Sequence, residues 1–575
     1  MVKRTFYLLS TAIVTLVLSV VGLLLIFYLS IPKELPPKTY QTSGMISKIL
    51  KENSIPLPPQ SPYFVPVKNN ALATEKECKD MHISGSKGSS DSDKTLIELK
   101  KLEDFNFLGE NPELREDLIR DLNTCYADST SRNLVVFIDG TGQDGKNNTP
   151  TTNIWKLYVE AVKKAQTQPT IPFYHEGIGT SWGNKIFGKV TGYGIDRHIK
   201  KAYQFLAENY KEGDRIFIFG FSRGAYTARA LNGMIEFVGL LDGNSIDVDM
   251  DRVKEARIAK VTQELFKLYH RKNDGLPLFD ERLHHFIRDK VTEKYDGILR
   301  FYISAKNQPI VDAIGVFDTV PALGIGRDDY PDDYRVDLYA AKGFHALSLD
   351  EQRYDFRLLR FANYQSDDRI KEVWFAGDHT DIGGGHSNEC EKTKEKDKEE
   401  CKDFTESKKA QNGLEKVSLQ WMMKQFNSGG YNIFNLPSLE DSCGGENKNT
   451  EGCEHGELHD KFLQSKLLYH SAGLHWRKPQ PQDTLHKSIL CRLKAKEAKS
   501  SENIKKMEIY RPGNLYYCVD KRGYKVEEDK DYICSNDKDT ALPESYIGQE
   551  CKVPLNSCDR EGCSVTSKIR EEENN

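Results

Sequence analysis

The stretch Asp214-Arg215-Ile216-Phe217-Ile218-Phe219-Gly220-Phe221-Ser222-Arg223-Gly224-Ala225-Tyr226-Thr227-Ala228-Arg229-Ala230-Leu231 carries the reading of this chain. An apolar strand, Arg215 to Phe219, runs into Gly220-Phe221-Ser222-Arg223-Gly224, and a helix-forming segment follows at once. Gly-x-Ser-x-Gly between a strand and a helix is the sequence of a nucleophile elbow, a sharp turn that lifts a serine hydroxyl clear of the sheet. The helix behind it aims its N-terminal amides at negative charge developing beside the serine. Gly220 and Gly224 are expected because side chains two positions either side would crowd so tight a turn. The plainer alternative is a glycine-bracketed turn in which Ser222 only caps the helix.

Outward from the elbow, strands and helices alternate. Asn133 to Ile138 reads as a buried strand ending in Asp139-Gly140-Thr141-Gly142, and a helix follows over about Thr152 to Ala165. Thr170 to His175 is a second strand and Asp196 to Tyr210 an amphipathic helix. Further strands are expected at Pro309 to Phe317 and Glu372 to Ala376, with a last core helix over Val417 to Asn427. This alternation predicts an α/β fold, a mostly parallel sheet with helices on both faces. Ligands of such sheets bind beyond the carboxyl ends of the strands, where each of these motifs lies. Leu241 to Arg300 reads as a charged helical insertion, and it and the segment after His386 are candidate lids.

A serine nucleophile needs a base and a carboxylate to orient it. Asp318, directly after the strand ending at Phe317, is the candidate acid, with Asp312 within the strand segment as rival and helix capping as the other role. His379, in Trp374-Phe375-Ala376-Gly377-Asp378-His379-Thr380-Asp381-Ile382-Gly383-Gly384-Gly385-His386, is the candidate base. His345, His386 and His486 are alternatives. The oxyanion hole is expected from the Arg223 amide and from the Gly140-Thr141 loop, with Asp139 organising that loop and Asp381 in support. A phosphatase of the Asp-x-Asp-Gly-Thr type is opposed by Phe137, which stands where its nucleophile would be. A metal-dependent hydrolase built from Asp139, Asp378, His379, Asp381 and His386 would leave the elbow without a purpose. A non-catalytic, membrane-anchored binding protein with a decayed hydrolase fold is the third reading, opposed by the intact order serine, acid, histidine.

The chain has 575 residues, a net charge of −5 and 38% hydrophobic residues, with both signs of charge interleaved, so no nucleic-acid surface is expected. Lys3 and Arg4 precede an uncharged apolar run from Phe6 to Ile31, longer than the roughly 20 residues that cross a bilayer. It reads as an uncleaved transmembrane signal anchor with a cytoplasmic N-terminus and an exported body, periplasmic or extracellular. Of 12 cysteines, Cys78 and Cys125 flank one side of the catalytic segment and ten follow from Cys390, an arrangement suited to disulfides in an oxidising compartment. The expected organisation is an anchor over 1–31, a proline-rich stalk and helical linker over 32–131, a catalytic domain over 132–430 and a cysteine-bearing region over 431–575.

Together these motifs resemble the α/β-hydrolase family of the Tle-type phospholipase effectors of bacterial type VI secretion. The resemblance rests on Val136 to Thr141, Thr152-Asn153-Ile154-Trp155, Gly177-Ile178-Gly179-Thr180, Gly220 to Arg229, Gly315 to Val320 and Trp374 to Gly385, and covers about residues 132 to 430. It implies a serine lipase fold with Ser222, Asp318 and His379 as triad. For the effector branch it also implies phospholipid ester hydrolysis without a metal cofactor. An N-terminal anchor and a cysteine-bearing C-terminal region are departures from that family. The expectation is a membrane-anchored serine hydrolase of carboxylic esters whose partner is a lipid or phospholipid.

Overall fold

The elements follow from local chemistry. Thr152 accepts the Trp155 amide on its side chain and so caps helix α2 (Asn153–Lys164), whose last turn carries Lys163 and Lys164 against the carbonyl end of the dipole. Pro112 opens α1 (Pro112–Cys125), because the first helical position needs no amide hydrogen. The computed structural model of the chain describes residues 64–67, 83–84, 96–97, 458 and 525–527, and most of 108–177, 194–270, 294–321, 336–385, 413–435 and 477–489.

Three short strands come first, β1 (Phe64–Pro66), β2 (Ile83–Ser84) and β3 (Leu96–Ile97). After α1 the chain runs β4 (Asn133–Ile138), α2, β5 (Thr170–His175), α3 (Ile195–Asn209), β6 (Arg215–Phe221) and α4 (Arg223–Val238). Then follow β7 (Leu240–Leu241), α5 (Asp251–Tyr269), β8 (Phe301–Ile303), β9 (Ala313–Phe317), β10 (Lys342–Ser348) and β11 (Ile370–Phe375). The chain continues with α6 (His379–Gly383), α7 (Leu414–Ser428), β12 (Thr484–His486) and β13 (Lys525–Glu527).

One eight-stranded sheet, ordered β13-β12-β11-β10-β9-β6-β4-β5, forms the centre, and every pairing in it is parallel. From β4 the chain steps to β5 at one edge, then crosses to β6 on the other side of β4. The strand order therefore reverses between β4 and β6, where a parallel sheet opens a crevice at its carboxyl edge. Successive strand residues point to opposite faces. Phe217 and Phe219 pack on Phe426 of α7, whereas Gly220 lies against Gly224 and Ala225 of α4. Hence α4 and α7 cover opposite faces. At the amino ends of β4 and β6, the buried Arg132 guanidinium clasps both Asp214 oxygens and ties the two strands together.

Several expected boundaries shift. In the stalk and helical linker expected over 32–131, Leu96–Ile97 form β3, paired with β2, and α1 begins at Pro112. Within the insertion read over Leu241 to Arg300, α5 packs on the core helices: Lys200 of α3 donates to Gln263, and Tyr269 donates to the Ala230 carbonyl of α4. The boundary expected at residue 430 does not divide the fold, because β12 and β13, from the region expected to be separate, extend the same sheet beyond β11. No helix among the described residues is long and apolar enough to cross a membrane. The anchor expected over Phe6 to Ile31, most of the stalk and the cysteines other than Cys125 lie outside the described residues.

Candidate active site

Ser222 leaves β6 at φ 60° and ψ −126°, a left-handed conformation that ordinary side chains avoid. It is held there because its amide donates to the Phe317 carbonyl at 3.0 Å and its carbonyl accepts from Ala225 and Tyr226, opening α4. A Cβ on Gly224 would lie 2.4 Å from the Asp139 carbonyl oxygen, and one on Gly220 would lie 2.5 Å from the Gly224 carbonyl oxygen. Both glycines are therefore demanded by close backbone approach. Ser222 makes no side-chain cap bond to the helix, so the capping role weighed for it is not the one it has.

Asp318 sits one strand over. Phe221 pairs with Phe317, which sets Ser222 level with Asp318 at the ends of β6 and β9. His379 opens α6 after β11 and packs its ring on Phe221 at 4.7 Å and on Phe356 at 4.9 Å between centroids. Its Nδ1 lies 2.5 Å from Oδ2 of Asp318. Its Nε2 is buried and has no hydrogen-bond partner, Ser222 included. Hydrogen bonds of this kind are often open in unliganded enzymes and close with substrate.

Asp318 is fully buried and its carboxylate is saturated. Oδ1 accepts the Ser348 amide at 2.9 Å and Nη1 of Arg477 at 2.5 Å, while Oδ2 accepts Nη2 of Arg477 at 3.0 Å as well as His379. Burial alone would raise its pKa. The Arg477 charge and the His379 and Arg477 hydrogen bonds outweigh that and hold it well below the usual carboxylate range. The carboxylate is thus fixed as an anion facing the imidazole.

Asp139, after β4, is equally buried but differently employed. Oδ1 accepts the Gly140 amide at 2.7 Å, and Oδ2 accepts the Thr152 and Tyr174 hydroxyls, each at 2.7 Å. These bonds tie the loop after β4 to α2 and β5. The Gly140 amide expected in the oxyanion hole is consumed by that bond, a correction that leaves Thr141 as the loop's candidate donor. The Thr141 hydroxyl is also buried and unpartnered. Arg223, the other expected donor, is the first residue of α4, where helix amides lack intrahelical acceptors.

The remaining candidates separate by position. Asp381 accepts the Asp378 amide and Asp378 accepts the Asp381 amide, a capping box that fixes α6 and the start of His379. Asp312 lies at the opposite end of the sheet, where it accepts the Ile216 amide. His345, in β10, is buried between Glu372 and the Thr319 amide, which donates to its Nε2. His486, in β12, stacks on Phe375 and meets Ser488. His386 lies outside the described residues. Among the described residues no three His, Cys, Asp or Glu side chains are grouped to hold a metal ion. Sequence reading missed Arg477, in Trp476-Arg477-Lys478-Pro479, for which the sequence holds no local signal.

The family model of the type VI secretion phospholipase effector Tle1-like catalytic domain matches residues 132–425. The chain belongs to that family. Every described site residue except Arg477 falls within the matched segment. The chain is similar to the uncharacterized protein YEL023C of Saccharomyces cerevisiae, 28% identical over 259 residues, covering 42% of this chain. The matched part spans about a third of that protein's length, 34%. Among solved structures it is similar to an uncharacterized protein from Pseudomonas aeruginosa, at TM-score 0.31 and 14% identity, covering 59% of this chain and 51% of that one. It is also similar to the Tle1 effector solved bound to the VgrG spike of the type 6 secretion system, at TM-score 0.24 and 20% identity, covering 45% and 51% of the two chains.

Proposed function

We propose that this chain is a membrane-anchored serine esterase that cleaves carboxylic esters of phospholipids. The observation that carries the reading is the state of His379: Nδ1 is engaged by a buried anionic aspartate, and Nε2 is buried, unengaged and beside the elbow of Ser222. An imidazole so oriented is a base waiting for a hydroxyl.

In this reading Ser222 attacks the ester carbonyl as His379 takes its proton, and Asp318 stabilises the imidazolium. The amides of Thr141 and Arg223 receive the oxyanion, at the positive end of α4. His379 then gives its proton to the leaving alcohol, and water releases the acyl group by the reverse transfers. Family membership supports a lipid ester as the substrate class. The apolar run from Phe6 to Ile31 would hold the body at a bilayer, on the exported side. That side also suits the disulfide pairing proposed for the cysteines.

Fluorophosphonate labelling of the full chain in detergent, followed by hydrolysis of phospholipid vesicles, tests the reading. Wild type should be labelled at Ser222, and Ser222→Ala should abolish labelling while His379→Ala slows it at least about 1,000-fold. Labelling that persists in Ser222→Ala, or none in folded wild type under conditions where vesicles are hydrolysed, would sink the mechanism.

A further inference from the structure

Arg477 lies beyond the family-matched segment, yet its guanidinium meets both oxygens of Asp318. It is buried and makes four hydrogen bonds. Two go to the Asp318 oxygens, and two go to backbone carbonyls, Ser348 at 3.0 Å and Phe356 at 2.6 Å. Ser348 also donates its amide to Asp318, and the Phe356 ring packs on His379. One planar group therefore joins the acid, the end of β10 and the wall behind the imidazole. A fork of this kind fixes a carboxylate in orientation as well as in charge.

We propose that Arg477 is a positioning residue of this site: it keeps Asp318 ionised and aimed at His379. The proposal rests on the serine esterase reading. Without a partner, a carboxyl this deeply buried takes up a proton readily, and a protonated Asp318 no longer stabilises the imidazolium. The other groups around the acid do not replace Arg477. His379 faces it only through Nδ1, and the Ser348 amide is uncharged. His345 meets the Thr319 amide and is itself paired with Glu372, which Arg360 neutralises. Glu351, near the His379 amide, is occupied by Arg353, and Asp378 and Asp381 cap α6.

The test is the rate of fluorophosphonate inactivation of the full chain from pH 4 to 9, for wild type, Arg477→Gln and Arg477→Lys, with probe concentration varied to separate the limiting rate from probe affinity. Arg477→Gln should lower the limiting rate at pH 7 at least tenfold with affinity little changed. It should also move the acidic limb of the profile up by at least one pH unit. Arg477→Lys, which keeps the charge without the fork, should restore most of the limb position and part of the rate. A folded Arg477→Gln with the wild-type limb and a rate within twofold would overturn the proposal. If Arg477→Gln does not fold, Arg477→Lys decides: a wild-type rate and limb in that variant is equally fatal. Absence of labelling at Ser222 in wild type is a different result, which removes the esterase reading and the proposal with it.

Discussion

Thr152 donates its hydroxyl to Asp139 at 2.7 Å while accepting the Trp155 amide at 3.1 Å, so one side chain both caps α2 and anchors the loop after β4. The same Asp139 oxygen takes the Tyr174 hydroxyl from β5. Asp139→Ala would leave two buried hydroxyls and the Gly140 amide without an acceptor, at a cost of about 3 kcal/mol or more. Asp139→Asn, which keeps an acceptor, should be milder in stability and still slow Ser222 labelling, because the Thr141 amide loses its register. Denaturant midpoints set beside labelling rates check the pair; equal rates in Asp139→Asn and wild type would contradict the role.

The elbow glycines give a steric prediction. A methyl group at Gly224 meets the carbonyl oxygens of both Ile138 and Asp139 at 2.4 Å, and backbone cannot yield as a side-chain tip can. Gly224→Ala should cost about 3 kcal/mol and suppress labelling. Gly429→Ala, at the end of α7, meets only the Tyr431 ring edge at 3.1 Å and the Gln425 carbonyl at 3.3 Å, and should cost under about 1 kcal/mol. Thermal unfolding of the two variants checks the contrast.

A further titrating pair is formed by His175 and His198. The rings of His175 and His198 stack at 4.0 Å, and burial first of all lowers both pKa values, His175 to about 4. The folded state thus resists protonation that the unfolded chain accepts near pH 6.5, so the pair costs stability as pH falls from about 6.5 towards 4. His198 Nδ1 is buried without a partner, so His198→Phe removes a titrating group and keeps the stack. It should shrink the loss of stability between pH 7 and 4.5 by about 1–2 kcal/mol. Urea unfolding at the two pH values measures it, and an unchanged difference would refute it.

Asp483 holds β12 in place. It accepts Nη1 of Arg360 at 2.6 Å, the Trp374 indole at 3.0 Å and the Gln480 amide at 2.7 Å, all on one oxygen. Asp483→Ala leaves Nη1 of Arg360, whose Nε keeps Glu372, and the Trp374 indole N–H without this acceptor, and should destabilise by about 2–3 kcal/mol. Because Arg477 lies just upstream, labelling at Ser222 should fall as well. A stable, fully labelled Asp483→Ala would show that β12 and the site are uncoupled.

Much of the fold was legible because its signals are local. The strands at Asn133 and Thr170 and the elbow strand were placed by uninterrupted apolar runs, and the glycines around Ser222 by the turn they serve. β10 was missed because His345 interrupts a short apolar run, and its burial depends on Glu372 and Thr319, contacts that sequence order conceals. The Gly140 amide was misassigned for a similar reason: whether an amide is spare depends on where the neighbouring carboxylate turns. The C-terminal region was read as separate because its polar, cysteine-bearing composition masks the three-residue strand that joins the sheet.

The distances along the chain are unequal. Asp318 reaches His379 across 61 residues, but its counter-charge arrives 159 residues later, after the family-matched segment has ended. During synthesis, then, Ser222, Asp318 and His379 are all present before Asp318 has its arginine. A nascent or prematurely ended chain lacking Arg477 carries these three residues with the Asp318 carboxylate missing its guanidinium. Under the proposed esterase reading, competence waits for Arg477, which is made well after Ser222, Asp318 and His379.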